Sequence, residues 1–233
     1  LVPSATVAIP GWGRSFQIHY YFAAGLVLSM HFFGFWLMCW PPTRDFFVSL
    51  TPLNLLVSAF FLGIFRDSAL AGPPAGPRFW LAAAVVCAGG FLAEVAGVQT
   101  GAIFGQYAYG GVLGPKAWGT PWVIGVNWFI LIGATTSVCA GLRVPVLVRV
   151  GLAATLMMGL DVLIEPVAID LGFWHWFGQP VPLQNYVAWW VLGAALIGLY
   201  HWLGAVGRNP MAPVVLVAQL FFFTGHNFFI YLR

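Results

Sequence analysis

The sequence predicts an all-α polytopic membrane protein, with about seven transmembrane helices in one bundle and residues 1–233 forming a single integral membrane domain. Three observations carry this expectation. Of 233 residues, 61% are hydrophobic and 6% charged, against roughly 25% charged in an ordinary soluble domain. Seven mostly apolar windows follow one another along the chain, each near the length of about 20 residues that crosses a bilayer. The segments between them are too short to hold a soluble domain, and there is no internal repeat or low-complexity tail.

In chain order the windows are His19–Trp40, Phe46–Phe65, Phe79–Val98, Trp122–Leu142, Pro145–Glu165, Tyr186–Val206 and Pro213–Leu232. Three connections read as plain linkers: WPPTRD (40–45), AGPPAGPR (71–78) and GRNP (207–210). Two do not. Gly97–Pro121, which contains FGQYAYGGVLGP (104–115), and Pro166–Asn185 are longer and dense in aromatics and glycine. If all seven windows cross, both emerge on one face. Pro166 disfavours helical geometry at Glu165, so the fifth helix is expected to end or bend there. The spacing Gly97, Gly101, Gly105 fits small-residue helix packing.

The net charge of +3 is small and scattered, so nucleic acid is not an expected partner. The charges do suggest an orientation. Arg14, Arg66, Arg78, Arg143, Arg149 and Arg208 would share one side, with Arg44, Lys116 and Arg233 on the other. The positive-inside rule then places the amino terminus in the cytoplasm of a multi-pass cell-membrane protein. Both unusual loops would lie at the non-cytoplasmic face. Cys39, Cys87 and Cys139 each sit in an apolar window without metal-like spacing and read as small buried hydrophobes.

Ionisable residues inside spans are costly and point first to function. Glu94 lies about one turn from the end of the third window, and Asp161 and Glu165 lie in the last turn or so of the fifth. All three approach the face of the two unusual loops. Asp161 and Glu165, four residues apart, project from one side of a helix. Two such carboxyls in a poorly solvated site do not ionise equally, so one is expected to be a neutral acid at pH 7. His31 and His226 read better as satisfied structural groups than as proton relays, and Asn54, Asn127 and Asn227 as interhelical glue. His175, between two tryptophans, sits where interfacial aromatics are expected anyway, and the Tyr186, Trp189, Trp190 group shares that ambiguity.

Several chemistries lack their residues. There is no dinucleotide fingerprint and no phosphate-binding loop. The histidines at 19, 31, 175, 201 and 226 form no box for a di-iron oxygenase, and the only lysine, Lys116, sits in a loop rather than deep in the bundle as a retinal Schiff base would require. No cofactor and no metal are expected. What remains is carboxyls, aromatics, amides and water. Such a set can protonate an electron-rich carbon, hold the cation against aromatic faces, and then deprotonate it or let water add. That inventory suits an isoprenoid hydratase, cyclase or isomerase whose apolar substrate enters from the bilayer.

Four runs carry a resemblance to a known family: EVAGVQTGAIFGQYAYGGVLGP (94–115), GTPWVIGVNW (119–128), DVLIEPVAIDLGFWHW (161–176) and PLQNYVAWW (182–190). Together they resemble the signature segments of membrane carotenoid biosynthesis proteins of the carotenoid 1,2-hydratase type. That family includes γ-carotene 1',2'-hydratase and bisanhydrobacterioruberin hydratase. The resemblance implies addition of water across the terminal double bond of a linear ψ end group, on a lycopene, γ-carotene or bisanhydrobacterioruberin type of substrate. Membrane-type lycopene β-cyclases start from the same end group and look distantly similar, but they carry paired glutamates after a proline where this chain has Pro182 followed by Gln184, Asn185 and Tyr186. A cyclase or isomerase, or a non-catalytic carotenoid-binding protein, is the alternative.

Roles follow as expectations. Asp161 is the expected proton donor, with Glu94 as the alternative donor, and Glu94 and Glu165 belong to the network that activates water. Asn185, Tyr107, Tyr109, Asn127 and Tyr186 would hold water or substrate. Trp174, Trp176 and Phe104 would be cation-facing walls. The partners are the carotenoid, water and the surrounding lipids.

Overall fold

The computed structural model describes residues 14–67, 76–178 and 180–232. Arg233, residues 71–75 of the AGPPAGPR linker and the side chain of Arg14, all used in the reading above, lie outside that description. The helices are α1 (Arg14–Cys39), α2 (Pro41–Ser49), α3 (Thr51–Ile64), α4 (Pro77–Thr100), α5 (Val123–Cys139), α6 (Val146–Asp170), α7 (Leu183–Trp202) and α8 (Met211–Tyr231). Every apolar window falls on helix, and α2, α3 and α4 each carry proline in the first helical positions, where its missing N–H costs nothing.

The second window is broken rather than continuous: α2 and α3 meet at 50°. Pro52 cannot extend the preceding hydrogen-bond ladder. The Ser49 and Thr51 hydroxyls donate back to the carbonyls of Phe46 and Val48, at 2.7 and 2.8 Å. By length and apolarity α1, α4, α6 and α8 are each able to cross a membrane, and the bent α2–α3 pair makes five if it is one span. The chain is therefore an all-α membrane protein, with fewer helices that qualify alone than the seven windows. At 17 residues α5 is shorter than the roughly 20 a lone span needs. It lies at the centre, touching α3, α4, α6, α7 and α8, with Trp128, Ile130, Leu131 and Ile132 fully enclosed.

Two further expectations are corrected. Of the two outcomes expected at Pro166, an end or a bend, the end is contradicted: α6 continues to Asp170 with Pro166 inside it. The added turn is held from outside, because Arg44 donates to the backbone oxygen of Asp170 at 2.6 Å and to its carboxylate at 2.8 Å. Nor do Gly97, Gly101 and Gly105 form a helix-packing stripe. Gly101 is the left-handed cap of α4, at φ 65°, and Gly105 lies beyond it in the loop. Only Gly97 is helical, and a side chain there would collide with the ring of Phe104, which folds back over it.

The two unusual loops meet in a small antiparallel sheet, β1 (Tyr107–Tyr109) against β4 (Trp174–Trp176), with Tyr107 opposite Trp176, Ala108 opposite His175 and Tyr109 opposite Trp174. Between them in sequence, β2 (Lys116–Ala117) and β3 (Thr120–Pro121) form a hairpin over Trp118 and Gly119. At the other polar positions, His31 and His226 each place Nδ1 on the carbonyl four residues earlier, at 2.8 and 3.0 Å. Asn227 joins helices as expected, donating to Leu163 in α6 at 2.7 Å. Asn54 instead accepts from Ser58 within its own helix.

Candidate active site

Strand alternation organises the site. Side chains two apart on a strand point to the same face, so the pattern Tyr-Ala-Tyr paired with Trp-His-Trp puts Tyr107, Tyr109, Trp174 and Trp176 together over the ends of α4 and α6. His175, on the other face, is exposed. The sheet can close tightly because position 110 is glycine. Gly110 donates its N–H to the carbonyl of Phe173 at 2.8 Å, and a Cβ there would lie 2.0 Å from the carbonyl oxygen of Gly172.

Each of the two outer carboxylates collects three donors. Glu94 Oε2 accepts the hydroxyls of Tyr107 (2.5 Å) and Tyr109 (2.8 Å), and Oε1 accepts the Trp128 indole N–H at 3.1 Å. Glu165 Oε2 accepts the indoles of Trp174 (3.0 Å) and Trp176 (2.9 Å), and Oε1 accepts from Asn185 Nδ2 at 3.3 Å. The four inward residues of the sheet thus split two and two between the carboxylates. They also pack on one another: Tyr107 lies 5.1 Å from Trp176 and Tyr109 lies 5.9 Å from Trp174, centroid to centroid. Burial, reinforced by the neighbouring Glu94 charge, pushes both tyrosine hydroxyls well above the usual phenol range. They remain O–H donors at any physiological pH.

Asp161 stands apart from this pattern. It is completely buried, its Oδ2 accepts from Asn185 Nδ2 at 2.9 Å, and its Oδ1 has no partner among the described residues. Asn185 therefore bridges Asp161 and Glu165, one helical turn apart on α6. Glu94 lies close to both. A buried carboxyl oxygen without a donor is unusual, since nearly all buried polar atoms are paired.

The remaining expected residues divide. Tyr186, half-buried on α7, lies close to Glu165 and Asp161. Phe104 is buried against Gly97 and meets the edge of Tyr107 at 6.1 Å, touching none of the carboxylates through a polar group. Asn127 is half-buried and makes no side-chain hydrogen bond among the described residues. Trp174 and Trp176, expected as bare walls, are also hydrogen-bond donors. Trp128 is not among the residues expected at the site. It is fully buried, holds Glu94, and stacks on Trp189 at 4.5 Å with rings 13° apart. It is the last residue of the GTPWVIGVNW run (119–128), whose resemblance was its signal in the sequence. Gln184 ties the start of α7 to the loop through the carbonyls of Ala102 and Ile103, at 2.6 and 3.2 Å. Lys116 likewise donates to the Tyr109 carbonyl at 2.5 Å.

Comparison with known proteins points the same way. The sequence model of a family described as "Carotenoid biosynthesis protein" matches residues 53–230. A bisanhydrobacterioruberin hydratase from Haloarcula japonica is 33% identical over 122 residues, which cover 46% of this chain and 39% of the relative. The match thus spans about two fifths of the length of that curated relative. No solved structure matches.

Proposed function

This chain belongs to the carotenoid biosynthesis protein family, and from that premise we propose that it adds water across the terminal double bond of a linear carotenoid ψ end. The observation that carries the mechanism is the contrast among three buried carboxyls. Two are surrounded by three donors each, as carboxylates are. The third, Asp161, has one free oxygen.

Asp161 is the acid. Its Oδ1–H protonates carbon 2 of the end group, and the electron pair of the double bond forms the new C–H bond, leaving a tertiary cation at carbon 1. The rings of Trp174 and Trp176 face this charge. A water molecule adds to carbon 1 and gives up one proton to Glu165, which lies one turn from Asp161 and shares the Asn185 amide with it. Transfer of that proton back to Asp161 resets the site. Glu94, fixed by Tyr107, Tyr109 and Trp128, completes the polar network and supplies a preorganised negative charge opposite the cation. The sum is substrate plus water, with no oxidant, reductant or cofactor consumed.

A second reading has one observation in its favour. Asp161, Glu94 and Glu165 are at most 3% exposed, and a site closed to bulk water suits cyclisation or isomerisation of the same cation. The glutamine and asparagine after Pro182 argue against it, because Gln184 is engaged with backbone and Asn185 donates rather than accepts at the carboxyls. In this scheme the chain crosses the membrane seven times, with the amino terminus in the cytoplasm and the site near the opposite face. Expression in cells that accumulate lycopene or γ-carotene, followed by mass spectrometry of the pigments, separates the readings. Hydration gives a product heavier by one water, cyclisation an isomer of unchanged mass, and simple binding no new pigment.

A further inference from the structure

The end of the bundle remote from the carboxylates carries its own polar construction. A cavity of about 380 Å³ opens there between the end of α5 and the start of α8, lined by Ser137, Val138, Gly141, Arg208, Asn209 and Pro213. Arg208 is exposed. Its guanidinium lies against Gly141, with Nη2 3.3 Å from where a Cβ would be, and it has no hydrogen bond or ion pair among the described residues. Behind the cavity a smaller one shares Ser137 and Asn209 and contains Arg66. Arg66 is only 9% exposed. Its Nε and Nη2 both donate to the Ala205 carbonyl at 3.3 Å, and its Nη1 is buried without a partner.

Charge and shape specify the occupant. The carboxylates whose side chains are described, Asp45, Glu94, Asp161, Glu165 and Asp170, all belong to the other half of the molecule, where Asp170 is paired with Arg44; the side chain of Asp67, next to Arg66 in sequence, lies outside the description. Two guanidinium groups therefore raise the potential of this cavity with no described carboxylate to offset them, which favours an anion. Guanidinium presents two parallel N–H groups that match phosphate oxygens. The cavity wall is also continuous with apolar surface. Pro213 is exposed, and Val217 and Phe221 follow it at helical spacing, 58% and 42% exposed. Those two line a second cavity of about 410 Å³ against Leu28 and Phe32 of α1. A free phosphate would leave that apolar track uncovered.

We propose that this is a binding site for an anionic phospholipid, with its phosphodiester on Arg208 beside the Ser137 hydroxyl and an acyl chain along Pro213, Val217 and Phe221. The site is independent of the reaction at the other end.

The test uses the full chain purified in neutral detergent, titrated separately with phosphatidylglycerol, with phosphatidylcholine of the same acyl chains, and with glycerol phosphate. Native mass spectrometry counts retained lipid, and thermal unfolding reports stabilisation. Phosphatidylglycerol is expected to be retained and to raise the unfolding temperature, and phosphatidylcholine and glycerol phosphate are not. Arg208→Gln is expected to weaken retention roughly fivefold, the effect of one arginine on an anionic lipid. Arg143→Gln, an exposed charge outside the cavity, should leave it unchanged. Equal retention of the two lipids, an equal loss in both variants, or stabilisation by glycerol phosphate alone overturns the assignment.

Discussion

At the scale of single residues, the chemistry rests on differences in what each carboxyl touches. Asp161→Asn replaces the acidic O–H with an amide that cannot protonate an alkene. Product is expected to fall by roughly 10²–10⁴-fold, the range of general acid catalysis, with normal amounts of folded protein. Glu94→Gln keeps the shape but removes the charge that three donors surround, and a comparable loss of pigment product is expected. Product near the parental level from either variant, measured by chromatography at equal expression, removes that residue from the mechanism. The three acids could be read from the sequence because intramembrane carboxyls are rare and conspicuous. Their donors could not. Trp128 is one of 12 tryptophans in the chain, and nothing in local spacing marks the one whose indole reaches Glu94 across to another helix. The tryptophans of the WHW run were visible, but their N–H groups on Glu165 depend on a fold that brings residues 174 and 176 back over residue 165.

Among the elements, the β1–β4 pair does what neither loop could do alone. It converts two three-residue patterns into a cap that delivers two donors to each carboxylate. Three residues are too few for alternation to identify a strand, so the sequence marked both segments only as unusual loops on one face. The helices were easier to place, since hydropathy and proline punctuation put every window on a helix. The exceptions have local causes: the break before Pro52 is stabilised by hydroxyls at 49 and 51, and the turn beyond Pro166 is held by Arg44. The cap makes a specific demand at its tightest point. Gly110→Ala forces a Cβ into the Gly172 carbonyl and is expected to destabilise the protein by roughly 2–4 kcal/mol, in the range of overpacking and strain, with loss of product. His175→Ala, on the exposed face of the same sheet, should leave both unchanged. A thermal shift and a pigment assay on the two variants check this, and an intact Gly110→Ala protein with full activity would separate the cap from the chemistry.

For the whole molecule, the proposal places the polar cap and its carboxyls at one membrane face and most of the arginines at the other. A periplasm-active reporter fused after Gly111, in the loop that carries β1, is expected to be active, and a cytoplasm-active reporter at the same position silent. The reverse pattern inverts the orientation without altering the site. The central claim is that water, added after protonation by Asp161, is the source of the new oxygen. It is tested most directly by supplying lycopene to membranes containing the protein in isotopically labelled water, with dioxygen excluded, and weighing the product. Hydration requires a carotenoid heavier by one labelled water, formed without dioxygen and absent from Asp161→Asn membranes. An isomer of unchanged mass, or an oxygen that carries no label, contradicts it.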